Sequence, residues 1–138
     1  MTLPNGGGGY QVGDGNLNEP LIDAIPEPVS VASAATLTAA QVLNGLILAN
    51  SGVSGASVTY TLPTVAALEA DLSNSDKVGT SFTFRLVNLG TSSGTAIIAT
   101  NTGWTISGSL TMTVPVTSGA QFVARKSGEG AWVLYRVV

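Results

Sequence analysis

An all-β fold is expected for this chain: an antiparallel β-sandwich, jelly-roll-like, with about eight strands, one or two short helices and an extended N-terminal arm. Residues 36–138 contain repeated short runs in which Thr or Ser alternates with apolar residues, and this period-two pattern is typical of half-buried strands. Turn-forming clusters separate the runs at regular spacing, as in sandwiches and barrels. Residues 1–35 carry four of the six prolines, four glycines in a row, four acids and no base.

This contrast divides the chain into an extended arm, residues 1–35, and a β-sandwich domain, residues 36–138. Pro20, Pro26 and Pro28 favour extended backbone and bias the residues before them in the same direction. A purely disordered tail would lack large apolar residues. The arm has several, and we expect them to lie along a surface, on the same chain or on a neighbour. These expected contact residues are Leu17, Leu21, Ile22, Ile25, Val29 and Val31.

Two short helices are predicted. Thr38 and Gln41 have the spacing of a capping box, and Asn44-Gly45 provides a stop, so a helix of one or two turns should open the domain. Thr64 follows Pro63 and can cap a second helix that extends to about Leu72.

Eight strands follow from the apolar periodicity, and the last one should be central in its sheet because frayed ends are seldom so apolar. The predicted strands are 46–49, 58–62, 81–86, 96–99, 104–106, 110–114, 120–124 and 132–137. Turns are expected at 50–55, 88–94 and 127–130.

Composition excludes several classes of function. The chain of 138 residues has no cysteine and no histidine, so thiolate zinc sites and histidine-based catalysis are excluded. Its five bases are too scattered for nucleic acid, and no apolar run reaches the roughly 18 residues that span a membrane. No signal peptide is recognisable, so synthesis in a host cytoplasm is expected. Only 9% of residues are charged, which indicates a surface covered by other subunits.

No catalytic, cofactor-binding or metal-binding residues are predicted. The series Asp14, Asn16, Asn18 copies the start of a calcium loop, but Glu19 and Ile25 stand where the loop needs Gly and Glu. Glu69 and Asp71 are two residues apart on a helix and are interpreted as solvated charges. The serines have no histidine to activate them, and no motif supports a Ser–Lys pair with Lys77 or Lys126.

Two side-chain sets could mediate contacts. Tyr60, Trp104, Trp132 and Tyr135 could form a sugar platform, although their positions in strands favour the core or a subunit interface. Arg85 and Arg136 have the opposite parity to the apolar residues of their strands and could pair with arm acids of a neighbouring subunit. The candidate acids are Glu19, Asp23 and Glu27.

Residues 37–138 resemble small structural proteins of tailed bacteriophages, and among these they are most similar in style to capsid decoration, or cement, proteins. The segments that carry the resemblance are Leu37–Leu43, Tyr60–Pro63, Gly79–Asn88, Thr102–Gly108 and Trp132–Val137. The resemblance implies a β-sandwich trimer on the outer capsid, with an arm that contacts the major capsid protein or a neighbouring trimer.

The sequence therefore favours a non-enzymatic virion protein that stabilises a capsid by bridging neighbouring subunits. A tail-fibre, head-fibre or receptor-binding tip domain is one alternative, and a carbohydrate-binding module is another. The expected partners are the major capsid protein and further copies of the chain, with no nucleic acid and no membrane.

Overall fold

The computed structural model describes residues 24–49, 57–72, 77–91, 93–107 and 112–138. β-strands make up about half of the described residues. The strands are β1 (Val29–Val31), β2 (Ala35–Thr36), β3 (Leu46–Ala49), β4 (Val58–Thr61), β5 (Ser81–Asn88), β6 (Ala96–Ala99), β7 (Trp104–Ser107), β8 (Thr113–Val114), β9 (Ser118–Gly128) and β10 (Ala131–Arg136). The helices are α1 (Ala39–Leu43) and α2 (Val65–Asp71).

Both predicted helix caps are confirmed. At α1, the Gln41 amide donates to Thr38 Oγ1 and the Thr38 amide donates to Gln41 Oε1, which completes the capping box. At α2, the Ala67 amide donates to Thr64 Oγ1 over 3.2 Å. Each helix buries one apolar side against the core, through Val42 in α1 and Leu68 in α2.

The strands form two mixed sheets around one hydrophobic core. One sheet has the order β1-β3-β5-β9-β10-β7, and the other has the order β2-β4-β6-β8. Phe84 of β5 and Phe122 of β9 are opposite one another in register, and their stacked rings, 5.2 Å apart, form the centre of the core. Ile98 and Val114 of the smaller sheet are buried in the same cluster, so the architecture is consistent with a sandwich.

The expectation of antiparallel sheets is wrong, and a jelly-roll order is not confirmed. Among the described strands, five of the eight pairings are parallel: β1 with β3, β3 with β5, β2 with β4, β4 with β6, and β10 with β7. Successive strands alternate between the two sheets from β1 to β9, and as far as β6 each returning strand pairs in parallel with the previous strand of its sheet. A period-two pattern shows which side of a strand is buried, but not the strand's neighbours.

The predicted strands are found near their expected positions. The predicted turn at 127–130 forms the hairpin between β9 and β10, and β10 lies inside its sheet, between β9 and β7, as expected. The expected turn at 50–55 and the first part of the strand at 110–114 lie mostly outside the described residues.

Candidate functional site

The first candidate site is the base of the arm, where residues 24–36 join the sheets. Val29–Val31 runs parallel to β3 as an edge strand, and Ala35–Thr36 runs parallel to β4. The Tyr60 hydroxyl donates to the carbonyl of Val31 over 2.9 Å. The Asn44 side-chain amide donates to the carbonyl of Glu27 over 3.1 Å. Residues assigned to the arm in the sequence analysis are therefore held by their own chain from Glu27 onward.

The six expected contact residues separate into three groups. Val31 packs against the core, and Val29 is half-buried beside β3, so both contact their own chain. Ile25 is 52% exposed and offers an apolar side chain to a partner. Leu17, Leu21 and Ile22 lie outside the described residues.

The expected charge partners are dispersed. Arg85 is exposed on β5, and its Nε donates to Gln121 Oε1 over 3.2 Å. Arg136 donates from one terminal nitrogen to the carbonyl of Thr113 over 2.9 Å and from Nε to the carbonyl of Val138 over 2.8 Å. Glu27 is exposed, whereas Glu19 and Asp23, like the Asp14 loop, lie outside the described residues. Arg136 thus has partners within its own chain, and Arg85 remains on the surface.

The structure adds a buried ion pair that sequence reasoning missed. Lys126 is 3% exposed, and its Nζ lies 2.9 Å from Oε2 of Glu69, whose side chain is 25% exposed. The indole Nε1 of Trp132 donates to the same oxygen over 2.9 Å. Glu69 was expected to be a solvated helix charge, and this expectation is wrong because α2 places its carboxylate over the end of β9. Asp71 is exposed, as expected.

Strand parity contained the signal that could have identified Lys126. Ala120, Phe122 and Ala124 face the core from β9, and Lys126 continues the same series by two. A lysine at an inward-facing position requires a countercharge because an isolated buried charge is very costly. Glu69 supplies this countercharge from α2, next to the buried Leu68 that fixes the helix on the core.

The surroundings of Glu69 favour its ionised form. The hydrogen bond from Trp132, followed by that from Lys126, lowers the pKa of the Glu69 carboxyl below its ordinary value, and partial burial opposes this shift without reversing it. A shallow cavity of about 380 Å³ borders the pair, lined by Thr64, Val65, Ala66, Glu69, Thr102, Gly103 and Gly130. Glu69 is the one ionisable residue among the described residues that line it, and Lys126 and Trp132 already use its Oε2.

The two tryptophans and Tyr60 belong to the core, which the sequence analysis favoured, together with a subunit interface, over a sugar platform. Trp104 and Trp132 are buried with ring centroids 6.1 Å apart, and the Trp104 indole donates to the carbonyl of Pro63 over 2.8 Å. Tyr60 is also buried. These rings offer no exposed flat surface for a sugar, so a platform made from the four aromatic residues is ruled out. Tyr135 alone of the four is half-exposed.

No group of three His, Cys, Asp or Glu side chains arranged to hold a metal ion occurs among the residues that the structure describes. Within the same residues, neither helix has the length and apolar character needed to cross a membrane. No protein-family model, curated protein or solved structure matches the chain.

Proposed function

We propose that the chain is a non-enzymatic virion protein that decorates the outer surface of a bacteriophage capsid and stabilises the shell. In this proposal it acts as a homotrimer, is made in the host cytoplasm, and bridges neighbouring capsid subunits through its arm. Its partners are the major capsid protein and further copies of the chain.

One observation carries the proposal: the base of the arm is fixed to the sheets, and an apolar side chain just before it is exposed. β1 and β2 attach residues 29–36 to two different sheets, while Ile25, four residues before Val29, is 52% exposed. A segment anchored in this way begins at a defined place on the module, so less entropy is lost when its first residues bind a partner. A capsid offers many copies of one surface, so each contact can be modest and avidity raises the overall affinity.

The buried polar groups are consistent with a scaffold. Lys126, Glu69 and Trp132 bind one another, and the buried Asn88 donates to the carbonyl of Val114 and accepts from the amide of Gly90. These groups have partners within the fold, and the proposed function requires no reacting group.

Co-sedimentation with capsid shells that lack this protein tests the proposal. The intact chain should pellet with the shells in hundreds of copies per particle and raise the temperature at which they rupture. A variant without residues 1–23 should keep β1 and β2 but bind at least tenfold more weakly, because most of the arm's contact residues are gone.

Two exposed apolar residues provide a matched comparison. Ile25→Asp changes an arm residue that is 52% exposed, and Val78→Asp changes a residue that is 61% exposed outside the arm. Only Ile25→Asp should weaken binding to the shells. If both variants and the truncated chain bind the shells as tightly as the intact chain, the arm is not the clamp. A copy number of tens per particle would favour a fibre component instead.

A further inference from the structure

The outer face of the six-stranded sheet is both apolar and basic. We use "outer face" for the side opposite the core, where residues alternate with the buried residues of β3, β5, β9 and β10. Two arginines, Arg85 and Arg125, lie on it and are exposed. Its apolar side chains, all half-buried, are Leu46, Leu48, Val87, Val123, Val133 and Tyr135.

A groove crosses this face where β9 has a glycine. It has a volume of about 210 Å³, and Arg85, Val87, Gly119, Gln121 and Val138 contribute to its lining. Gly119 lies opposite Val87 in the antiparallel register and is exposed. Every residue of β9 from Ala120 to Lys126 has a side chain, so the missing side chain at Gly119 leaves the groove open. An aliphatic side chain from a docked segment can occupy this position.

The charges of the face are complementary to those of the arm. The described acidic side chains, Glu27, Glu69, Asp71 and Glu129, belong to the arm, α2 and the hairpin tip, and none belongs to the strands of the outer face. The arm carries four acids and no base. Within residues 14–23, which we call the acidic stretch, Asp14, Glu19 and Asp23 alternate with Leu17, Leu21 and Ile22.

The arm also joins the module at the edge of this same sheet. The Asn44 side-chain amide donates to the carbonyl of Glu27. Gly45, which follows Asn44, accepts a hydrogen bond from the amide of Arg85 through its carbonyl. Strand β9 lies three strand spacings from β1, which is about 14 Å. The chain from Glu27, whose carbonyl is fixed, to Asp23 can extend to about 14 Å, and the acidic stretch continues beyond Asp23, so it can reach the groove from this anchor.

We propose that the acidic stretch docks on the outer face of its own module, with an aliphatic side chain in the groove at Gly119 and its carboxylates beside Arg85 and Arg125. The short tether gives a high effective concentration, so the contact forms within one chain even when its intrinsic affinity is low. The inference goes beyond the proposed function because it assigns the occupant of the outer face to the chain itself.

Paramagnetic broadening in the full-length protein tests the proposal. The chain has no native cysteine, so Asn18→Cys accepts a single nitroxide label without competing sites. The backbone amide signals of Val87, Gly119 and Gln121 should broaden more strongly than those of β6 in the opposite sheet. The effect should be independent of protein concentration and should weaken with added salt because the attraction between charges is screened.

Two glycine substitutions give a matched control. A Cβ at Gly119 would lie 3.4 Å from the Leu86 carbonyl oxygen and 3.6 Å from Val87 Cγ2, so Gly119→Val fills the groove without forcing the strand apart. Gly128→Val makes the same change in the same strand, at a position with no atom within 4 Å of the new Cβ. Gly119→Val, and separately Arg85→Glu, should remove most of the broadening, whereas Gly128→Val should preserve it.

Other outcomes would overturn the proposal. Broadening that survives Gly119→Val, or is absent in a sample whose amide spectrum shows a folded protein, excludes the groove. Broadening in a mixture of isotope-labelled chains without the nitroxide and nitroxide-labelled chains without the isotope identifies a second copy as the source of the stretch. Shell binding is measured separately, so failure of this contact leaves the proposed function standing, and failure of shell binding leaves this contact standing.

Discussion

Lys126 occupies a position that the strand pattern reserves for an apolar residue, and its charge is tolerated because of two neighbours from elsewhere in the chain. Glu69 supplies the countercharge, and Trp132 donates a hydrogen bond to the same carboxylate oxygen. Breaking such a pair is costly even where the pair itself adds little net stability, because a buried charge is left without compensation.

Glu69→Gln should destabilise the fold by about 2–3 kcal/mol, somewhat less than for a fully buried pair because the Glu69 side chain is 25% exposed. Urea unfolding at neutral pH measures the loss. Asp71→Asn, on an exposed residue of the same helix, is the control and should change stability by less than about 0.5 kcal/mol. The double variant Glu69→Gln/Lys126→Met should recover to within about 1 kcal/mol of the native protein, because it removes both charges and keeps an amide oxygen that accepts from Trp132. If Glu69→Gln is as stable as Asp71→Asn, the pair does not have this role.

The same pair predicts a pH dependence. The folded pKa of Glu69 is depressed, so its contribution to stability is fully present above the ordinary pKa that it has in the unfolded chain, and is lost as the pH falls through the lower folded value. The difference in unfolding free energy between native protein and Glu69→Gln should therefore be constant from about pH 6 to pH 5 and shrink below about pH 4. A difference that grows on acidification would reverse the expected sign.

Gly103 is required by the backbone and by its surroundings. Its φ is +93°, and an added Cβ would lie 2.7 Å from Val65 and 3.0 Å from the carbonyl oxygen of Gly130. Gly103→Ala should cost roughly 2–4 kcal/mol, because α2 or the β9–β10 hairpin must move to make room. Thermal unfolding measures the effect. Gly128→Ala, with open space around the new Cβ, should remain within about 1 kcal/mol of the native protein.

At the level of elements, local signals predicted the two helices and missed β1. The capping residues Thr38 and Thr64 mark helix starts through bonds that span three residues, so they can be recognised in the sequence. β1 has only three residues and follows Pro26 and Pro28, a pattern that indicates an extended arm. It becomes a strand because β3 offers it an edge and Tyr60 donates to its last carbonyl.

Tyr60→Phe should loosen β1 selectively. The ring stays buried, but the hydrogen bond to the Val31 carbonyl is lost, at a cost of about 1 kcal/mol. Amide exchange in the β1–β3 ladder should accelerate, while exchange in β9 and β10 should change only as much as the global stability does. Tyr135→Phe, on a half-exposed residue, is the control. Uniform acceleration across all strands would show that β1 is not a separate opening unit.

For the molecule as a whole, the order of the strands determines how much of the arm can be removed without loss of fold stability. The chain returns to each sheet in parallel through β1, β3 and β5 in one sheet and β2, β4 and β6 in the other. Residues 29–36 thus complete one edge of each sheet and belong structurally with the strands that follow them, although the sequence pattern groups them with the arm.

Two truncations should differ sharply in stability. Removal of residues 1–23 leaves both edge strands in place, so the melting temperature should remain within a few degrees of that of the intact chain. Removal of residues 1–36 takes away β1 and β2 with their backbone pairing and the partner of Tyr60, and should cost at least about 2 kcal/mol. Calorimetry of the intact chain and both variants measures this, and equal stability of the two truncated forms would refute the structural role of residues 24–36.

The sequence by itself determined where the two helices and the strands from β3 onward lie, which side of most of these strands is buried, and that the arm differs in charge from the domain. These properties depend on residues two to four positions apart, and a local pattern records them directly. Only the tertiary structure decided that the sheets are mixed, that residues 29–36 complete them, and that Glu69 meets Lys126. Those outcomes join residues distant in the chain, and packing around one shared core selects them from many pairings that satisfy the same local pattern.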